Sequence, residues 1–206
     1  MSRSGLFAMY NNNTDAFSTA ASIYYGLFSM QHRGMDATGI CINQNGQFKY
    51  KKEDGMVIDV FDENLLSRME GHAGIGHVLH SNRSDVREYA QPIVIRYTSG
   101  QMAVALNGGL VNTEELRKEL ELQGAVFQTS DDAEIISVLI SRARNRFETI
   151  EEAIADIMPK LRGAYALLVM TPRKIIGVRD PLGMKPLILG KKRNSLYFSS
   201  ETCIYN

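Results

Sequence analysis

Apolar runs of strand length stand toward the two ends of this chain, and capped amphipathic helices stand in a block between them. Residues 5–10 (GLFAMY) read as a first strand, and residues 73–78 and 102–106 as buried strands. The tail holds four more short runs, 164–170, 174–178, 187–189 and 196–199, with turns at Pro172, Gly183 and Asn194. Helical spacing over residues 17–30 brings Ala20, Ile23, Tyr24, Leu27 and Phe28 to one face, and residues 63–69 fit a short helix. Gln44-Asn45-Gly46 joins two strands, 37–43 and 47–51, as a hairpin. In the middle, Asn112 with Glu115 and Thr149 with Glu152 have the form of capping boxes. The first opens a helix to Gln123 that stops at Gly124, and the second opens a helix to about Leu161. Asp131 or Asp132 opens the helix between them. Elements grouped in blocks predict stacked α+β layers, not a doubly wound parallel sheet.

Composition narrows the class. In 206 residues the 23 Lys and Arg balance the 23 Asp and Glu, so the formal net charge is zero. A general nucleic-acid binder, which draws its affinity from cations meeting phosphates, is not expected. A 44% hydrophobic content is too high for a disordered chain. The uncharged stretch 16–31 is broken by Ser18, Thr19, Ser22, Gly26 and Ser29, and a membrane span needs about 20 mostly apolar residues. Two cysteines, Cys41 and Cys203, make no disulfide framework, and a cytoplasmic protein is expected.

Three segments could carry chemistry. In Gln31-His32-Arg33-Gly34, Gly34 fits a helix C-cap and Arg33 favours the helix dipole. After a buried strand, Asn107-Gly108 is either a plain turn or a pair of donors for a developing oxyanion. Asp131-Asp132 opens a helix, as an N-cap or as a carboxylate holding a cationic ligand group. The histidines, His32, His72, His77 and His80, include no two pairs at metal spacing. No nucleotide fingerprint is present, and neither a metal nor a cofactor is expected.

Together and in this order, these segments resemble class II glutamine amidotransferases. The stretches that carry the resemblance include Ser4-Gly5-Leu6-Phe7, Gln31-His32-Arg33-Gly34, Gly74-Ile75-Gly76-His77-Val78 and Ala90-Gln91-Pro92. They continue through Asn107-Gly108, Phe127-Gln128-Thr129-Ser130, Arg162-Gly163-Ala164-Tyr165, Arg179-Asp180-Pro181 and Ser200-Glu201-Thr202. Within that family the chain is most similar to the glutaminase domain of the amidophosphoribosyltransferase branch, which serves purine synthesis. The resemblance covers the whole chain. It implies the N-terminal-nucleophile hydrolase fold, a four-layer αββα sandwich, here lacking the family's last strands. It also implies one domain over residues 1–206, with no phosphoribosyltransferase domain on them.

The family's mechanism uses an N-terminal Cys to attack the glutamine amide, its free α-amine as base and an Asn-Gly pair as oxyanion hole. By resemblance Asn107 and Gly108 are that pair, and Arg33 and Gly34 stand beside the nucleophile. Asp132 receives the glutamine α-amino group, and Ser81 and Asn82 belong to the substrate-binding segment. Five positions depart from the pattern: Leu106 replaces a usual His, Gly109 a usual Asn and Met35 a usual Gln, and two more bear directly on the chemistry. Ser4 stands where the family has its Cys, with Met1-Ser2-Arg3 before it, and Leu79 stands where the family has the Arg that grips the glutamine carboxylate. A hydroxyl needs a strong base where a thiol does not, and a Leu supplies none of the charge-assisted hydrogen bonds of an Arg. Arg83 is a candidate to reach back in its place. These departures imply a degenerate glutaminase-like domain with a binding or regulatory role. The alternatives are an active amidohydrolase with Ser4 freed by processing, and the ammonia-supplying half of a split enzyme. The ligand implied is glutamine or a related amide or amino acid. The partners implied are a phosphoribosyltransferase-like protein or a second copy of the chain, and neither nucleic acid nor membrane.

Overall fold

The computed structural model describes residues 3–12, 19–82 and 85–202. Its strands are β1 (Arg3–Asn11), β2 (Ala37–Gln44), β3 (Gln47–Asp54), β4 (Ala73–His80), β5 (Ile93–Tyr97), β6 (Gly100–Leu110), β7 (Gly163–Met170), β8 (Ile175–Arg179), β9 (Ile188–Lys192) and β10 (Ser195–Ser199). Its α-helices are α1 (Thr19–Ser29), α2 (Val57–Val60), α3 (Glu63–Ser67), α4 (Thr113–Leu122), α5 (Asp132–Ala143) and α6 (Ile150–Ile157). The strands form two antiparallel sheets, ordered β3-β2-β4-β1-β10-β9 and β5-β6-β7-β8.

Strand alternation sorts the side chains into layers. Leu6, Ala8, Cys41 and Ile75 of the first sheet meet Ala103, Ala105, Ala166, Leu168 and Met170 of the second. On the outer face of the first sheet, Phe7, Met9, Ile40 and Val78 bury against Ala20, Ile23 and Leu27 of α1. On the outer face of the second, Val104, Leu106, Tyr165 and Leu167 bury against Leu116, Ile136, Ile140 and Ile154 of α4, α5 and α6. The order is therefore α, β, β, α, as expected. Each buried aliphatic side chain contributes roughly 1.5–3 kcal/mol.

Local signals hold where nothing distant competes with them. Asn45 and Gly46 turn the β2–β3 hairpin with φ of 51° and 88°. Thr149 and Glu152 make the reciprocal capping box of α6. That helix ends at Ile157, short of residue 161, because Pro159 sits in the following 3-10 turn, Met158–Lys160. Other expectations are overridden. Asn112 caps nothing with its side chain; its Nδ2 donates to the Lys160 carbonyl and its Oδ1 accepts from Arg162 N, tying the start of α4 to the approach of β7. Glu115 pairs with Arg162 instead of reaching back to residue 112. Gly34 is the expected C-cap, of the 3-10 turn Gln31–Arg33, with its N–H donating to the Gln31 carbonyl, but it is extended, with φ −171° and ψ 128°, and not left-handed. Its constraint is space: a Cβ there would lie 2.4 Å and 2.6 Å from the carbonyl carbon and nitrogen of Leu79. The structure adds β5 and α2, which are too short for a periodic pattern to mark. Among the described residues no helix is long and apolar enough to cross a membrane. Phe17, Arg83 and Cys203 lie outside the described residues.

One buried bridge joins the two halves of the second sheet's environment. Gln91, just ahead of β5, accepts from Leu106 N of β6 at 2.6 Å, and its Nε2 donates to both carboxylate oxygens of Asp131 at 2.9 and 3.0 Å. Asp131 also caps α5 by accepting from Ala133 N at 2.7 Å. Burial pushes its carboxyl up to about 6, assisted by the neighbouring Asp132, against the hydrogen bonds from Ala133 and Gln91.

Two predictions follow from these contacts. Gly34→Ala is expected to cost about 1–3 kcal/mol by overpacking against backbone, read as a lower midpoint in urea unfolding. For Asp131 the folded-state pKa exceeds the unfolded one, so its contribution is full below about pH 4 and is lost as pH rises through about 6. Relative to Asp131→Asn, wild-type stability is expected to fall by on the order of 2–3 kcal/mol across that window. Buried His77, pushed down to about 3, drives the opposite trend in both proteins and cancels in the difference.

Candidate functional site

At one end of the inter-sheet layer the apolar filling stops and a pocket of about 330 Å³ opens. The ends of the strands that build the core, β1, β4 and β6, reach it. On β1 the inward series Ala8, Leu6 continues to Ser4, which is 1% exposed and pairs in register with Leu79 of β4. On β6 the inward series Ala103, Ala105 continues to Asn107. Of the residues singled out from the sequence, Ser4, Leu79, Ser81, Asn82, Gly108 and Asp132 line the pocket. Arg33, Gly34 and Asn107 do not.

Arg33 lies behind the pocket. Its Nε donates to the Ser4 carbonyl at 2.9 Å and its Nη1 to Glu201 Oε1 at 2.8 Å. His32 Nε2 lies 2.9 Å from the same carboxylate oxygen. Arg33 is thus a clamp between the start of β1 and the segment after β10, a role more specific than complementing a helix dipole. Gly34 lets this turn press against the backbone of Leu79 and His80.

Asn107 is fully buried, and among the described residues neither its Nδ2 nor its Oδ1 has a hydrogen-bond partner. Such a group costs about 1–3 kcal/mol, which marks it as a side chain held for another partner. Gly108 follows with φ +112°, and a Cβ there would lie 2.0 Å from the Ala164 carbonyl oxygen. Only glycine fits both the conformation and the approach of β7. Beneath them His77 is buried. A carbonyl only accepts, so His77 Nε2 carries the proton it donates to Leu106 O at 3.2 Å, and Nδ1 is left as an unpartnered lone pair. Burial pushes this imidazole down to about 3, so it is neutral.

Asp132 begins α5 at the pocket wall. Its Oδ2 accepts from Leu110 N at 2.8 Å and its Oδ1 from the Thr113 hydroxyl at 2.7 Å. Each oxygen keeps a second lone pair for a ligand donor. Glu134, one turn on, accepts from Gln128 N, Thr129 N and the Thr129 hydroxyl, and so shapes the loop that delivers both aspartates.

The structure brings in further residues that sequence patterns left unmarked. Tyr89, Gln91, Leu106, Ala164 and Lys185 line the pocket. His80 also does, with its Nδ1 2.7 Å from Asp36 Oδ2. Gln91 lies in one of the stretches that carry the family resemblance, which is the one signal that could have found it. Lys185 comes from a loop far along the chain and has none. Among the described residues no group of three or more His, Cys, Asp or Glu is placed to hold a metal.

Comparison with known proteins places this pocket in context. The family model described as "Glutamine amidotransferase domain" matches residues 78–204. The amidophosphoribosyltransferase of Methanocaldococcus jannaschii is 42% identical over 200 residues, covering 97% of this chain and 42% of its own length. That of Bacillus subtilis is 37% identical over 185 residues, covering 89% of this chain and 38% of its own. The structure of the glutamine phosphoribosylpyrophosphate amidotransferase of B. subtilis, complexed with ADP and GMP, superposes with a TM-score of 0.87 at 35% identity. It covers 98% of this chain and 42% of that one. The chain therefore spans about two fifths of the length of these relatives. With the family model matching more than half of its residues, and with two antiparallel sheets in the glutaminase arrangement, the chain belongs to the class II glutamine amidotransferase domain family.

Proposed function

We propose that residues 1–206 act as one glutaminase-type domain that binds glutamine or a related amino-acid amide in the Ser4–Asp132 pocket and hydrolyses it poorly or not at all. In this reading Asp132 receives the ligand's ammonium group. Asn107 and Gly108 face its amide carbonyl. Arg33 and Gly34 hold the strand that carries Ser4, and Ser81 and Asn82 close one wall.

The observation that carries the proposal is the in-register pair of Ser4 on β1 and Leu79 on β4, a hydroxyl beside an apolar side chain. In a chain that retains Arg3, the Ser4 nitrogen is a peptide amide, with no basic lone pair to take the hydroxyl proton. A serine hydroxyl is a weak nucleophile unless a base stands beside it. Neutral His77 is a poor substitute, because its Nε2 is engaged with Leu106 O and its low pKa weakens it as a base. Leu79, buried against Ala37 and Ala90, gives the pocket an apolar wall where the family has a guanidinium. The domain would then report ligand occupancy to a partner. The relatives' names suggest a phosphoribosyltransferase-type protein, or a second copy of the chain.

The test is ammonia release from L-glutamine by the purified chain and by Ser4→Ala, with intact mass recorded for each. The expected result is no difference between them, together with saturable binding of L-glutamine. A wild-type rate more than tenfold above Ser4→Ala, from a chain whose mass begins at Ser4, would overturn the proposal in favour of a processed hydrolase. Ser4→Cys in the chain that retains Arg3 is expected to raise the rate less than tenfold, because the thiol still lacks its amine.

A further inference from the structure

The pocket's polar lining is charged unevenly. Asp131 and Asp132 both face it, whereas among the described lining residues Lys185 is the one Lys or Arg. His80, the other basic group there, is matched by Asp36. Lys185 Nζ makes no hydrogen bond or ion pair with any described residue, although the residue is partly buried.

The loop that presents Lys185 is tightly held. Buried Asp180 accepts from Leu182 N and Met184 N, each at 3.0 Å, and from Tyr165 N at 3.3 Å. Arg179 Nε donates to the Lys185 carbonyl at 3.0 Å, and its guanidinium also reaches the Gly183 carbonyl. The Lys185 side chain then passes over β6. A Cβ built on Gly108 would lie 3.1 Å from Lys185 Cε, and one built on Gly109 would lie 3.2 Å from Asp132 Oδ2. An uncompensated cation and a carboxylate thus flank two consecutive glycines, whose Cα atoms are about 3.8 Å apart. An α-amino acid carries its ammonium and carboxylate on a single carbon, and a pocket lined by both Asp132 and Lys185 offers each a partner of opposite charge.

We infer that Lys185 receives the carboxylate of the bound amino-acid amide and is the residue that makes the pocket select α-amino acids. This rests on the reading that the pocket takes such a ligand. Lys185 supplies the positive charge that Leu79 does not, from the second sheet instead of the first. Its ammonium is a point charge on a flexible stem, so it accepts a carboxylate without the fixed two-pronged geometry of an arginine.

The experiment is calorimetric titration of wild type, Lys185→Met and Lys185→Arg with L-glutamine and with 4-aminobutanamide. The latter keeps the ammonium and the amide and lacks the carboxylate. Lys185→Met is expected to weaken L-glutamine about tenfold and to change 4-aminobutanamide less than twofold. Lys185→Arg is expected to restore most of the L-glutamine affinity. Wild type binding both ligands, with Lys185→Met weakening both equally or neither, overturns the assignment and leaves the proposed function standing. Wild type binding 4-aminobutanamide alone does the same. If wild type binds L-glutamine alone, loss in Lys185→Met with recovery in Lys185→Arg supports the assignment, and any other pattern overturns it. Wild type binding neither ligand overturns the proposed function and this assignment together.

Discussion

The two sheets meet through small side chains, and the period-two alternation that brings those side chains together also builds the pocket. Ala103 and Ala105 on β6, Ala8 on β1 and Ala166 on β7 let the sheets approach closely. Because alternation cannot be interrupted without a bulge, the next inward positions on the same strands must face the same gap. Those positions are Ser4 on β1, His77 and Leu79 on β4, and Asn107 on β6. A one-residue slip of β1 against β4 would turn Ser4 toward α1 and bring Gly5 to the pocket. The register that protects the core therefore also aims the site.

Polar groups at the end of a core are costly unless they are satisfied, and this structure treats them in two ways. Asp131 is fully satisfied by Gln91 and Ala133 N, and Gln91 in turn accepts from Leu106 N, so this group reads as scaffold. Asn107 and the Nδ1 of His77 are left without partners. The cost of the unsatisfied pair is carried by the surrounding apolar burial. The contrast separates polar groups whose hydrogen bonds are met within the fold from polar groups whose hydrogen bonds are not.

How much of this was legible in the sequence depends on where each residue's competitor lies. Thr149 and Glu152, and Asn45 and Gly46, act within four residues, and their patterns translate directly into structure. Asn112 has the same local pattern as Thr149, yet its side chain goes to Lys160 and Arg162, about fifty positions away. No window of sequence contains that competitor. Gly34 does stop the 3-10 turn Gln31–Arg33, but what requires glycine there is the contact with Leu79, which no local pattern shows. The candidate residues Ser4 and Leu79 were recognisable only through their resemblance to a family, whereas Asp132 stood out as part of a helix-opening acidic pair whose ligand role was one of two readings. Their meeting in one pocket depends on sheet order, which periodicity does not encode. Lys185 is the extreme case, since its position depends on Asp180 and Arg179 fixing a loop against the second sheet.

Burial then divides the labour between adjacent aspartates of the same chemistry. Asp131 is buried at the N-cap, where desolvation raises its pKa and Gln91 and Ala133 N make three hydrogen bonds to its carboxylate. Asp132 stands one residue on, partly exposed, and accepts one hydrogen bond on each oxygen. A helix turn rotates neighbouring positions by about 100°, so a single step along α5 separates a structural carboxylate from one open to a ligand. Exchanging the two roles would require rotating the helix, which Ala133, Ile136 and Ile140 prevent by packing against the second sheet. The charge that the pocket presents is in this way set by the apolar face of α5 as much as by the aspartates themselves.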